Sequence, residues 1–352
     1  MMNKFSVYND YSDFSFYKPG ISNIGIEALL IIESNGLPIL SRYYSNINYD
    51  SDEFLILSAF ISSLSTYIQS QNKEQFTDFG IGSRRFYLKF TNDKKIFCLI
   101  LNEILYRRLT GEVLTSILEL SLGELIRPFK SFYNITKASV KDIHQSDFIE
   151  KFCYQIDKIL FFNFKKAVSE LSHSVSNLRK HNIDNLKVQY SHSNQFTDIH
   201  HQLLIKGILG IIVFNNINEP IVIRNYEQDN YQLEKSDFYI GISSTIKRFA
   251  DSNLGFLTDI GLGSRRILVK EVKNDIVISL IISEFIYWRI TGEILNMYLE
   301  LSLNDLNKSI EEYIKLFKSN ESLSDEEKVL ALSEQIDLIL LENVKVAFQE
   351  LN

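Results

Sequence analysis

Cysteine is nearly absent: Cys98 and Cys153 are the two in 352 residues. Two cysteines cannot build the disulfide framework of a small secreted fold, so a reducing compartment is expected. Long apolar runs are missing as well. The most apolar window, LLIKGILGIIVF at 203–214, is too short to span a bilayer and carries Lys206. The first twenty residues, MMNKFSVYNDYSDFSFYKPG, lack the apolar segment of a secretory signal. Basic charge is not in excess; the net charge is −7, which disfavours a general nucleic-acid footprint. Together these absences predict a soluble, cytoplasmic protein with no transmembrane segment, reaching a membrane only peripherally through its partners.

Catalytic signatures are equally scarce. The stretch TDFGIGSRRFYLKF at 77–90 contains DFG and a GIG followed by basic residues. Neither an HRD loop nor a VAIK-type strand lysine accompanies the DFG. The GIG has no GK[ST] and no third glycine at dinucleotide-binding spacing. Five of the six histidines (His173, His181, His192, His200 and His201) lie in a polar, aperiodic stretch without cysteine partners, so no metal site is expected. No cofactor is implied, and a non-enzyme is expected.

What the chain does contain is a repeat. Residues 258–271 read TDIGLGSRRILVKE, identical to 77–90 at eight of fourteen positions. LNEILYRRLTGEVLTSILELSLGEL at 101–125 matches ISEFIYWRITGEILNMYLELSLNDL at 282–306 at thirteen of twenty-five. QIDKILFFNFKKAVSEL at 155–171 matches QIDLILLENVKVAFQEL at 335–351, and GLPILSRYY at 36–44 matches NEPIVIRNY at 218–226. The register drifts only between 180 and 182, which single-residue loop insertions explain. A period this long means two whole domains rather than a solenoid. The expected organisation is an arm over 1–21, a first domain over 22–172, a polar linker over 173–202 and a second domain over 203–352.

Each copy begins with an apolar run suited to a buried strand, GIEALLII or GILGIIVF, then a turn and a second short strand. A helix follows at 52–69 or about 236–250, with Asp52 and Ser236 as expected N-caps. Three strands come next, then two long helices, near 112–129 and 146–171 and again near 293–317 and 325–350. In this order GIGSRR lies between two strands, so its glycines are expected to serve a bulge or sharp turn, not a phosphate cradle. Thr110 and Thr291 are expected to cap the next helix, with Glu112 and Glu293 near its positive end.

The opening hairpin IIESNGLPILSRYY, the helix directly after it and the three-strand meander leading into C-terminal helices resemble the longin/roadblock superfamily. The resemblance covers both repeats. It implies an α+β fold of two tandem longin-like domains, each a five-stranded antiparallel sheet with one helix on one face and two on the other. It also implies a non-enzymatic interaction scaffold. Its expected role is regulator or platform for a small Ras-like GTPase, or subunit of a vesicle-trafficking complex with other longin or roadblock subunits. The alternatives are a structural tether without GTPase contact and a small-molecule sensor with a pocket under the sheet.

Candidate partner residues follow from the repeat. Phe54, Leu55 and Tyr67 exceed the apolar stripe of the first helix, and Phe238 and Tyr239 that of its counterpart. Such patches are seldom left open, which places both helices at an interface. The doubled arginines Arg84, Arg85, Arg265 and Arg266 alternate across a strand. They either reach a partner or fix the fold through carboxylates such as Asp78 and Asp259, and the second is the commoner use. The aromatic arm, with Phe5, Tyr8, Tyr11, Phe14, Phe16 and Tyr17, is expected to dock on the body or on a partner.

Overall fold

Two sequence signals dominate the local structure: continuous apolar runs that become central strands, and glycines that turn the chain between them. The computed structural model describes residues 17–45, 51–72, 76–102, 111–138, 149–166, 199–227, 233–253, 256–272, 276–284, 292–319 and 324–349, with Leu105, Leu109 and Ile286. The chain divides into two compact units, with the main division between Val175 and Ser176.

In the first unit α1 (Lys18–Ile24) leads into β1 (Ile26–Ile32), β2 (Pro38–Tyr43), α2 (Ser51–Asn72), β3 (Phe76–Ile81), β4 (Arg84–Phe90), β5 (Ile96–Asn102), α3 (Gly111–Ala138) and α4 (149–166). The strand order is β2-β1-β5-β4-β3. The second unit repeats the series: α5 (Ile199–Ile205), β6 (Ile208–Asn215), β7 (Pro220–Asn225), α6 (Leu233–Asn253), β8 (Leu257–Leu262), β9 (Arg265–Val272), β10 (Ile276–Ser283), α7 (Gly292–Ser319) and α8 (Asp325–Gln349). Its strand order is β8-β9-β10-β6-β7. The fold class is α+β, with antiparallel pairing of β1 to β2 and β5, of β4 to β5, and of β6 to β7 and β10. β9 likewise pairs antiparallel with β8 and β10.

All seven residues of β1 are buried, and so are the first seven of β6. A strand buried at every position has both faces covered, which explains why these segments read as apolar runs, interrupted in β1 only by the buried Glu27. Even the irregularities recur. The β1–β2 register shifts between Ile31 and Ile32, and the β6–β7 register at the matching Val213 and Phe214. A second shift skips Glu27 opposite β5 and, in the other unit, Leu209 opposite β10. Bulges are set by specific local chain geometry, so their recurrence at matched positions is strong support for duplication.

The glycines of GIGSRR and GLGSRR now have a role. Gly82 and Gly263 hold φ of 57° and 56° in the turns after β3 and β8, a conformation that disfavours a side chain.

Three boundaries differ from expectation. The helices α2 and α6 start at Ser51 and Leu233, so Asp52 and Ser236 fall inside them instead of capping them. The repeat also begins earlier than residues 22 and 203, because α1 has a counterpart in α5. Ile21 and Leu203 are the fully buried residue of each helix, and Gly25 and Gly207 turn the chain into the first strand with positive φ. Most of the aromatic arm and most of the polar linker, at 1–16 and 167–198, lie outside the described residues, as do Thr110 and Thr291.

Candidate functional site

The doubled arginines are engaged inside their own units. Arg85 pairs with Asp78, and Arg266 with Asp259 and, at 3.2 Å, Glu284; both arginines are almost wholly buried. Arg84 Nε donates to Glu27 at 2.9 Å. Arg265 donates to Glu227 at 3.1 Å and to the Tyr239 hydroxyl at 3.1 Å. The carboxylate partner has moved: Glu27 sits on the β1 bulge, where the second unit has Leu209, while Glu227 follows β7. The same charge pair is thus built from different chain positions, as expected when the arginine matters and its partner need only be close.

A second duplicated cluster has no precedent in the sequence arguments. Arg42 Nε and Nη2 donate to Asp157 at 3.1 and 2.6 Å, and the Tyr44 hydroxyl donates to the same carboxylate at 2.9 Å. Arg224, Tyr226 and Asp337 reproduce it, with Arg224 Nε at 3.1 Å and the Tyr226 hydroxyl at 2.5 Å. Burial works against the charge on Arg42, but its bonds to Asp157 outweigh burial and raise its pKa. Burial and then the Asp157 charge push the Tyr44 phenol well above its ordinary value, and the same two causes act on Tyr226. These groups clamp the second strand of each unit to its last helix. Two charges satisfied by each other and by a phenol act as a structural device. The available signal was an aspartate on the apolar face of the last helix in both copies, beside Ile156 and Ile336.

The cysteines are also internal. Cys98 is wholly buried in β5, and burial pushes its thiol far above the range in which it forms a thiolate; Cys153 is buried in α4. Among the described residues no group of His, Cys, Asp and Glu could hold a metal ion, and no helix is long and apolar enough to cross a membrane. A cleft against β6 and β7, lined by Leu209, Ile212, Ile223 and Arg224, has room for about one water.

The candidate partner residues separate into two kinds. Phe54 is fully buried, its ring 4.8 Å from that of Tyr43, and Phe238 and Tyr239 are 7% and 0% exposed. These three belong to the cores of their units and offer a partner no surface. An aspartate at Phe54 or Tyr239 would therefore damage folding before association. Leu55 and Tyr67 remain open, at 44% and 39%, and Ile56, which the sequence pattern did not single out, joins them at 48%.

These residues lie on the outer face of α2, and from Phe54 to Asn72 that helix carries no charge. Between Phe54 and Ser70 its other exposed positions are Ala59, Ser63, Thr66, Gln69 and Ser70. The β1–β2 turn is tied to it by Ser62 Oγ donating to Ser34 O at 2.6 Å, and the turn residue Leu37 is 48% exposed. The equivalent helix α6 faces solvent with Asp237, Thr245, Arg248 and Asp251. There Lys247 pairs with Asp251 at 2.7 Å and Glu271 at 2.9 Å. Beyond its acidic first turn, Asp52 and Glu53, α2 therefore presents a helix without charge where its duplicate presents a charged one.

No protein-family model matches the chain, and no curated protein matches it in sequence.

Proposed function

We propose that the chain is a tandem longin-like interaction scaffold that binds a small Ras-like GTPase, or another longin or roadblock subunit of a trafficking complex, through the outer face of α2. The observation that carries the proposal is the charge-free stretch of α2 from Phe54 to Asn72, with Leu55, Ile56 and Tyr67 exposed after the acidic first turn of Asp52 and Glu53, set against Lys247, Arg248 and Asp251 on α6. Water-facing helices are ordinarily charged, and an exposed apolar patch on a rigid element is a common form of partner surface. The twice-repeated element order resembling longin domains supplies the class of partner, by analogy of fold. The internal use of both arginine pairs and of the duplicated Arg–Tyr–Asp cluster supports binding over chemistry. Any effect on a GTPase then comes from reshaping its switch loops, not from a group donated by this chain.

The test is capture of a GTPase from native lysate on immobilised chain, repeated with GDP and with a GTP analogue. Nucleotide-dependent enrichment of a Ras-like protein, lost with Leu55→Asp/Tyr67→Asp, is the expected result. Enrichment of other subunits regardless of nucleotide would favour a structural tether. No enrichment that depends on Leu55 and Tyr67 would sink the proposed surface.

A further inference from the structure

The last helices of the two units have the same inner face and opposite outer faces. In α4 the residues Ile156, Asp157, Leu160 and Phe164 are buried; their counterparts in α8, Ile336, Asp337, Leu340 and Val344, are buried too. Outward, α4 carries a ridge at every fourth position, Tyr154, Lys158, Phe162 and Lys166, all exposed. The matched ridge on α8 is Glu334, Leu338, Glu342 and Val346, also exposed and preceded by Leu330. Every position has changed class. Where one ridge is aromatic the other is acidic, and where one is basic the other is aliphatic. Tyr154 and Phe162 are about half exposed, at 49% and 50%, although Tyr17 already stands 5.7 and 5.9 Å from their rings. Leu330 and Leu338 are 57% and 48% exposed.

Ridges of i, i+4 residues are the surfaces through which helices commonly pack. Laid parallel with a one-turn offset, these two bring Lys158 and Lys166 to Glu334 and Glu342, while the exposed Glu150 at the start of the ridge comes opposite the exposed Glu326. They also bring Tyr154 and Phe162 to Leu330 and Leu338. A ridge paired with its own kind would set lysine against lysine or glutamate against glutamate. We propose that α4 of one chain packs on α8 of a second copy, so that the protein self-associates through unlike helices. Because the two surfaces differ, the contact either closes a two-fold dimer by forming twice or propagates head to tail. Divergence of two once-identical faces into complementary ones accounts for the pattern; drift on a solvated face would not alternate charge and apolarity in step.

Charge reversal gives a decisive experiment on the full chain by sedimentation velocity, with thermal melts to confirm folding. The wild type should associate, and high salt should weaken that association. Lys158→Glu/Lys166→Glu and Glu334→Lys/Glu342→Lys should each weaken it by roughly tenfold or more. An equimolar mixture of the two variants should associate again, since each then offers the ridge the other needs. The substitution Phe162→Ser should weaken association roughly tenfold while lowering the melt by only a few degrees, the loss of its contacts with Tyr17 and Phe161. A wild type that remains monomeric at about 100 µM, well above ordinary micromolar affinities, or variants whose mixture stays dissociated, would overturn the proposal.

Discussion

The two units share an interior and differ in what they show to solvent. Both keep the antiparallel pairings, the bulges opposite the second and fifth strands, the positive-φ glycine after the third strand, and the Arg–Tyr–Asp clamp. Their outer helices have parted: from Phe54 onward α2 carries no charge where α6 is charged, and the ridges of α4 and α8 differ in class at each matched position. Interiors are constrained because each methylene and buried charge is packed against several neighbours. Surfaces are free to specialise. In a duplicated chain, the positions that changed class are therefore the better guide to partners, and the repeated motifs chiefly report the fold.

The clamp offers the largest effect with which to break the comparison. Asp157 and Arg42 have side chains 0% and 1% exposed, whereas Arg224, the partner of Asp337, is 20% exposed. Asp157→Ala strands a buried guanidinium and should cost about 3–5 kcal/mol. Asp337→Ala leaves a partly solvated one and should cost less, about 1.5–3 kcal/mol. Urea unfolding of the two variants would check the order; equal losses would mean that burial does not set the difference.

The phenols of the same clusters come next. Tyr44→Phe and Tyr226→Phe each remove one hydrogen bond to a buried carboxylate and should cost about 1–2 kcal/mol. Both folded-state phenol pKa values are raised by burial, so the folded state holds these protons more tightly than the unfolded one. Their contribution is complete below the unfolded tyrosine value of about 10 and is lost as pH rises beyond it toward the folded values. Thermal melts from pH 8 to 11 should show a steep alkaline decline in the wild type and a shallower one in Tyr44→Phe/Tyr226→Phe.

An effect of similar size is expected at the turns. At Gly263 an added Cβ meets nothing within 4 Å, so Gly263→Ala is opposed only by its φ of 56° and should cost about 1–2 kcal/mol. Gly82→Ala faces the same strain at φ 57°. Either alanine substitution without any measurable loss of stability would contradict the turn assignment.

These contrasts also mark what could be read from sequence. The doubled strands and helices were legible because their apolar periodicity is local. The clamp was not, because 115 residues separate Arg42 from Asp157 and nothing in one sequence joins them. The short helix before each first strand was missed because α1 and α5 share little beyond a buried aliphatic residue and the final glycine. Phe54 and Tyr239 looked like surplus surface aromatics because a helical stripe does not reveal how wide a buried face is. Leu55 and Tyr67 satisfied the same argument and do lie on the surface.

One paired measurement bears most directly on the proposal that the units share an interior and that α2 carries the partner face. Leu55→Asp/Tyr67→Asp on α2 and Thr245→Asp/Arg248→Asp on α6 should be compared in thermal melts and in retention of a nucleotide-loaded GTPase on the immobilised chain. Both variants should melt within a few degrees of the wild type, as exposed substitutions ordinarily change stability by less than about 0.5 kcal/mol. Retention should fall for the α2 variant alone. Equal retention by both variants, or loss from the α6 variant instead, would contradict the account.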